Sequence, residues 1–331
     1  MSNADNSYAV RLARKKGEIL RSFHEQNPGK SIEQNGNAAS PSSAYTATVL
    51  GDGLYIRQKE EGGTVAEGCC LTDSTVSIVP TENGFIVIGT YQSSTFNLYN
   101  LDGSLSLISL PLGSGFQHGF IVKYNTAGVV EWATHAGGDV PPTTNLDVIR
   151  RITKDSDGNI YVIGNYFSLN FYIYSSTDNT TAAYTLTRTG GGPTAADIFL
   201  AKYNAFGIVQ WVTSINGEFG EFGNNIILDS FNNLYIVGTY GAAPVNVYSS
   251  VDLINPAYIF TVNNSSFFIK YNATGIFQWA TRMTGQSGSS CIGLTVDHNN
   301  NICVSGIFGP TFIDIYGTDN AFIRMLNAAT S

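Results

Sequence analysis

The chain has 331 residues, with 17 basic and 25 acidic side chains that make up 13% of its length, about half the charged share of an average globular chain. Hydrophobic residues reach 43%, aromatic residues 12%, and there are 35 glycines. Low charge with abundant aromatics excludes a solvated disordered chain, and no apolar run reaches the roughly 18 residues of a membrane-spanning helix.

The first 30 residues carry a net charge of +3 and the remainder −11. Leu12, Ile19, Leu20 and Phe23 recur near helical spacing between basic residues, which predicts an amphipathic helix over 5–25. Asn27-Pro28-Gly29 ends it, and 30–44 reads as a linker rich in Ser, Asn, Gly and Pro. Residues 1–44 are therefore expected to form a basic helix and flexible linker, with Arg11, Arg14, Lys15, Lys16 and Arg21 as candidate docking residues for a protein partner. No apolar signal core is visible, so the expected location is the cytoplasm or a virus particle. The acidic body disfavours general nucleic-acid binding.

The body, 45–331, repeats. One motif reads Lys123-Tyr124-Asn125-x-x-Gly128-x-x-x-Trp132, and returns as Lys202 to Trp211 and Lys270 to Trp279. A second reads Asn83-Gly84-Phe85-Ile86-Val87-Ile88-Gly89, and returns at 158–164, 232–238 and 300–306, closing each time on glycine: Gly164, Gly238 and Gly306. Spacings of 68–79 residues give four units. Each unit adds a short aromatic-aliphatic strand (Phe96–Tyr99, Phe171–Tyr174, Val245–Tyr248, Ile313–Tyr316) and a strand running into a base (Lys123, Lys202, Lys270, Arg324). The segments are short, β-branched and aromatic, bounded by Asn, Asp, Gly and Ser: strand and turn signals. The expected fold is all-β, a β-propeller of four repeats, with about five strand-like segments per repeat; regrouping them into five blades is the alternative. The fourth unit stops at Asn327, and a strand at about 53–61 partly matches the segment it lacks, with Arg57 in place of the Trp, so the chain's start is expected to close the ring; the alternative is that each unit begins with this strand and the ring closes through side-chain packing only.

The order Asp155-x-x-Gly158-Asn159-Ile160-Tyr161-Val162-x-Gly164, followed by Asp197-x-Phe199-x-x-Lys202-Tyr203-Asn204-x-x-Gly207 and Trp211, resembles the SBBP-type β-propeller repeat family over about 53–327. The resemblance implies a propeller and a repeat-built surface or scaffold protein, with no catalytic residues to carry over. The segment from Asp5 to Lys16 resembles, loosely, N-terminal segments of large DNA virus proteins.

Candidate chemistry is sparse. The repeated tryptophans read as packing anchors between units, with sugar stacking as the alternative; the repeated lysines read as framework residues laid on a neighbouring Tyr. Asp155-x-Asp157-x-Asn159 resembles half a calcium loop, but Ile160 and Tyr166 stand where Gly and Glu are needed, so a hairpin turn is expected. His24, His118, His135 and His298 show no metal spacing. Cys69, Cys70, Cys291 and Cys303 read mostly as buried thiols. No catalytic residue, metal or cofactor is expected. The functional expectation is a non-enzymatic structural or interaction propeller in a virus particle or other large assembly, contacting partners through its N-terminal segment or through the inserts at 102–118, 175–196 and 249–265. A carbohydrate-binding propeller is the first alternative, and a hydrolase or lyase on the propeller face the second.

Overall fold

The computed structural model describes residues 47–50, 53–56 and 74–327, apart from short stretches within the last of these ranges. The expected N-terminal helix, with its basic docking residues, lies outside the described residues, as do Cys69 and Cys70. The described residues are all strand and turn, and none of their segments is a helix long and apolar enough to cross a membrane.

The strands form a succession of antiparallel hairpins. First come β1 (Ala47–Leu50) with β2 (Gly53–Ile56), β3 (Ser74–Thr81) with β4 (Gly84–Tyr91), and β5 (Thr95–Tyr99) with β6 (Leu105–Pro111). Then come β7 (His118–Asn125) with β8 (Val130–Gly138), β9 (Val148–Lys154) with β10 (Ile160–Tyr166), and β11 (Asn170–Ile173) with β12 (Tyr184–Thr187). They are followed by β13 (Asp197–Tyr203) with β14 (Val209–Gly217), β15 (Glu221–Leu228) with β16 (Leu234–Tyr240), and β17 (Val245–Val247) with β18 (Tyr258–Phe260). The last are β19 (Ser265–Tyr271) with β20 (Phe277–Gly285), β21 (Ser290–Val296) with β22 (Ile302–Ile307), and β23 (Phe312–Tyr316) with β24 (Phe322–Asn327).

A repeat is therefore three hairpins, six strands where the sequence predicts about five. Two strand positions of a repeat carry no repeated motif. β6, β12 and β18 lie inside segments that read as loop inserts. β9 and β15 carry Arg150, Arg151, Gly223, Asn224 and Asn225, and a bulge breaks their alternation opposite the motif glycine, between Ile163 and Gly164 and between Gly223 and Asn225. A second correction concerns Arg324. The sequence places Phe322–Arg324 as a fourth copy of the Lys-bearing strand, but β24 pairs with β23 as β18 pairs with β17. A fourth Lys-bearing strand is therefore not among the described residues.

Sheets take alternate hairpins. β9–β10, β13–β14 and β17–β18 form one six-stranded sheet; β15–β16, β19–β20 and β23–β24 form another. The chain divides into two units. In the first (1–115 and 120–134), β3, β4 and β7 lie side by side, and Tyr91, Phe96 and Phe120 stack in the core with ring centroids 4.7 and 5.0 Å apart. In the second (116–119 and 135–331), the outer end of β8 pairs with β11, and β15 packs on β9 and β10 while β21 packs on β15 and β16. The aromatic stack recurs there as Tyr166, Phe171 and Phe199, at 4.9 and 4.6 Å. Burial of such rings supplies the main driving force for each sheet.

Candidate functional site

The repeated sequence motifs build the turns at one end of the sheets. Asp155 accepts hydrogen bonds from the backbone N–H of Asp157 (3.0 Å) and Asn159 (2.8 Å), from the Asn159 amide (2.8 Å) and from the Tyr161 hydroxyl (3.2 Å). Asp229 and Asp297 hold equivalent turns, with Asn232 and Asn300 at φ 61° where the Asp155 turn has Gly158 at φ 79°. Asn tolerates that left-handed backbone, which explains the Gly-to-Asn drift between copies. Both oxygens of Asp155 are thus spent within its own hairpin turn, as the sequence reading expects. The Asn125, Asn204 and Asn272 side chains cap the other turns in the same way.

Behind these turns sits a Lys–Tyr–Trp layer. Lys202 Nζ lies 5.0 Å from the Tyr161 ring centroid and Lys270 Nζ 5.1 Å from that of Tyr235. Trp211 and Trp279 meet the same rings edge-on, each at 6.1 Å. Cation–π attraction keeps the lysine stems on the aromatic face. The first unit has Ile86 in place of this Tyr, and there Lys123 instead donates to the Thr81 hydroxyl and to the Asn83 and Tyr124 carbonyls, with Glu131 at 3.4 Å. Trp132 and Trp211 are 9% and 8% exposed. The Trp211 indole N–H donates to the Ala273 carbonyl of the next repeat, and a Cβ on Gly275 would come 2.8 Å from its ring. Trp211 therefore packs against the following repeat, and both rings are nearly covered.

The motif glycines are explained by the bulge. A Cβ on Gly164 would lie 2.2 Å from the Val148 carbonyl oxygen and 2.4 Å from the Phe199 ring; on Gly238 the corresponding contacts are Phe222 O at 2.2 Å and Phe267 at 2.3 Å. A Cβ on Gly306 would meet Ser290 O at 2.2 Å. Gly89 sits opposite Thr75 at the matching bulge.

A clasp outside the two repeated motifs joins consecutive sheets. Ser175 Oγ accepts from Val209 N–H (3.1 Å) and Ser249 Oγ from Phe277 N–H (2.9 Å). Ser176 and Ser250 add backbone bonds to Gly207 O and Gly275 O, both 2.9 Å. Its sequence signal is the Tyr-Ser-Ser-x-Asp run at 174–178 and 248–252. Both clasps close at the turn end, which exposes Phe206 (72%), Phe231 (74%), Val251 (75%) and Ile254 (85%) in the second unit, while Leu169, Phe219 and Ile307 are exposed elsewhere in it, each by 60% or less.

Buried polar groups collect at the opposite end of the strands. His118 and His135 lie with their Nδ1 atoms 3.1 Å apart, and the His135 ring stacks on Tyr174 at 4.2 Å. Burial pushes His118 down to about 3 and His135 down to about 4, so the pair is neutral at pH 7. Asp197 occupies the strand position that His118 holds in the first copy, and Glu221 the position of Asp147. Asp147 accepts from the Gly138, Phe167 and Ser168 N–H groups and from the Ser168 hydroxyl. By contrast both Glu221 oxygens and Asp197 Oδ1 are buried without a hydrogen-bond partner. Burial pushes Asp197 up to about 7 and Glu221, also repelled by Asp197, up to about 9. Both side chains are fully buried. Among the described residues no group of three or more His, Cys, Asp or Glu is placed to hold a metal. Cys291 is buried, in line with the sequence reading, whereas Cys303 is exposed.

No family model matches the chain. Over 235 residues, 65% of its length, it is 28% identical to an uncharacterised WD repeat-containing protein of Acanthamoeba polyphaga mimivirus. That match spans 16% of the viral protein, so the chain corresponds to a small part of its relative's length. The likeness is thus to a WD repeat-containing protein of a virus.

Proposed function

We propose that the chain is a non-enzymatic interaction scaffold, a β-propeller in which each three-hairpin repeat completes one blade, and that the turn end is its protein-binding surface. The observation that carries this reading is the set of Phe206, Phe231, Val251 and Ile254, each more than 70% exposed on turns pinned by Asx bonds and Ser clasps. Apolar side chains held rigid in water are the anchors that protein interfaces use, because little conformational entropy is lost when they are covered. The WD repeat name of the viral relative and the SBBP-like motifs support the propeller. In this reading the basic segment around Arg11, Arg14, Lys15, Lys16 and Arg21 serves as a second docking element in a larger assembly.

The test replaces all four apolar residues by Ser. The expected variant keeps its thermal midpoint within a few degrees, because exposed side chains contribute little to folding. It loses at least about tenfold in affinity for the protein that cross-links to the wild-type chain in its native assembly, since each lost anchor removes on the order of 1 kcal/mol. Unchanged affinity would remove the turn end from the interface.

A further inference from the structure

We infer that the turn end of the second unit takes a basic, amphipathic segment of a partner protein, which sets apolar side chains on Phe206, Phe231, Val251 and Ile254 and lysines or arginines against the aspartates around them. This rests on the interaction reading above and names the chemistry of the partner.

The charge on these turns is of one sign. The turns and loops at 155–159, 175–183, 204–207, 229–233, 249–257, 272–275 and 297–301 contain Asp155, Asp157, Asp178, Asp229, Asp252 and Asp297, and no Glu, Lys or Arg. Asp157 and Asp178 are exposed, and Asp252 and Asp297 are half-buried. Hydrogen bonds from Thr180, Asn255 and Asn301 hold Asp178, Asp252 and Asp297 below the usual carboxylate range, so these three stay ionised at neutral pH. The bonds that pin the loops therefore also fix the charges in place.

Acid and apolar residues are interleaved turn by turn. Asp252 accepts from the Ile254 N–H (2.9 Å) and Asp229 from the Phe231 N–H (2.9 Å). The loop that carries Asp178 is tied to the Phe206 turn, because Ser176 donates its hydroxyl to the Phe206 carbonyl and its N–H to the Gly207 carbonyl. The nearby bases are held back from the surface. Lys202 lies on the Tyr161 ring and donates to the Ala273 carbonyl (3.4 Å), and Lys270 lies on the Tyr235 ring. With these two and Lys154 at the end of β9 counted, the acids still outnumber the bases six to three. At the opposite end of the strands, by contrast, Asp147, Asp197 and Glu221 are buried.

A fixed field of one sign attracts the opposite sign and rejects its own, while rigid apolar anchors supply most of the affinity. A cationic segment with apolar side chains on one face meets both requirements. An acidic segment or a nucleic acid meets neither.

The experiment titrates the full chain with three labelled peptides of equal length and reads fluorescence anisotropy. One has Leu and Lys patterned as an amphipathic helix, one has Glu in place of Lys, and one has Ser in place of Leu. The Leu–Lys peptide is expected to bind at least about tenfold more tightly than the other two, and to weaken as salt rises from about 0.05 to about 0.5 M. The combined variant Asp157→Asn, Asp178→Asn and Asp252→Asn keeps its loops, because an Asn Oδ1 accepts the same backbone N–H groups. It should lose about tenfold in affinity for the Leu–Lys peptide and most of the salt dependence. Equal binding of the Leu–Lys and Leu–Glu peptides, equal binding of the Ser–Lys peptide, no binding at all, or an unaltered Asn variant would each overturn the inference.

A second readout separates this inference from the interaction reading. With a benzophenone side chain at Ile254 in the native assembly, the partner peptide that carries the adduct should hold more Lys and Arg than Asp and Glu, together with large apolar residues. An adduct on an acidic or uncharged peptide, or on the acidic body of a second copy, would overturn the basic partner and leave a protein-binding surface in place. No adduct at all would overturn both.

Discussion

Glu221→Gln is expected to leave stability nearly unchanged at pH 5 and to raise it by about 2–5 kcal/mol at pH 9. Glu221 and Asp197 are fully buried, and three of their four oxygens have no hydrogen-bond partner. Two adjacent carboxylates in such a place are disfavoured by lost hydration and by mutual repulsion, so both keep a proton in the folded chain to about pH 9 and pH 7 respectively. In the unfolded chain they ionise near pH 4. Their contribution is therefore fully present below about pH 4 and is lost as pH rises through 7 and then 9. An amide at Glu221 has no proton to lose and removes the larger part of that slope. The neutral His118–His135 pair works in the opposite direction. Its contribution is complete above about 6.5 and is lost as pH falls toward 4 and then 3. Urea unfolding at pH 5, 7 and 9 measures the wild-type slope and its flattening in the variant. Equal destabilisation of Glu221→Gln at every pH would mean that the carboxylate is ionised and held by a cation.

Gly238→Ala is expected to destabilise the chain by about 3 kcal/mol, on the order of 5–10 °C in thermal midpoint. The new methyl would meet Phe222 O at 2.2 Å and the Phe267 ring at 2.3 Å. Phe267 is fully buried among Phe260, Ile269 and other core side chains, so it cannot swing away, and Phe222 O belongs to the bulged backbone. Gly241→Ala, where nothing lies within 4 Å of the added Cβ, is the matched control and should be silent. A silent Gly238→Ala in calorimetry would show that the bulge relaxes and that the repeated glycine is not a packing requirement.

The same glycine shows what was legible in the sequence. Its recurrence marks the repeat length, and the turn and Lys–Tyr–Trp residues are all visible as motifs because each is fixed by a local hydrogen bond or ring contact. Strands such as β9 and β15 escape notice because their bulge shifts the inward side chain by one residue. β24 is misplaced because Phe322-Ile323-Arg324 imitates the aromatic run into the base, and only its pairing with β23 reveals its place. The turn-end surface has no repeat signature at all. Phe206 stands where the other copies carry Ala127 and Thr274, so nothing periodic points to it. The Asp197–Glu221 contact joins residues 24 positions apart at the ends of different hairpins, and strand register rather than motif spacing brings them together.

The interaction reading meets its most direct test in site-specific photo-cross-linking within the native assembly. A benzophenone side chain at Ile254 or Phe206 should yield one discrete protein adduct from either position, and the same group at exposed Leu107, on β6, should yield none of that partner. No adduct from the turn end, or the same adduct in equal yield from Leu107, would contradict a protein-binding surface on these turns.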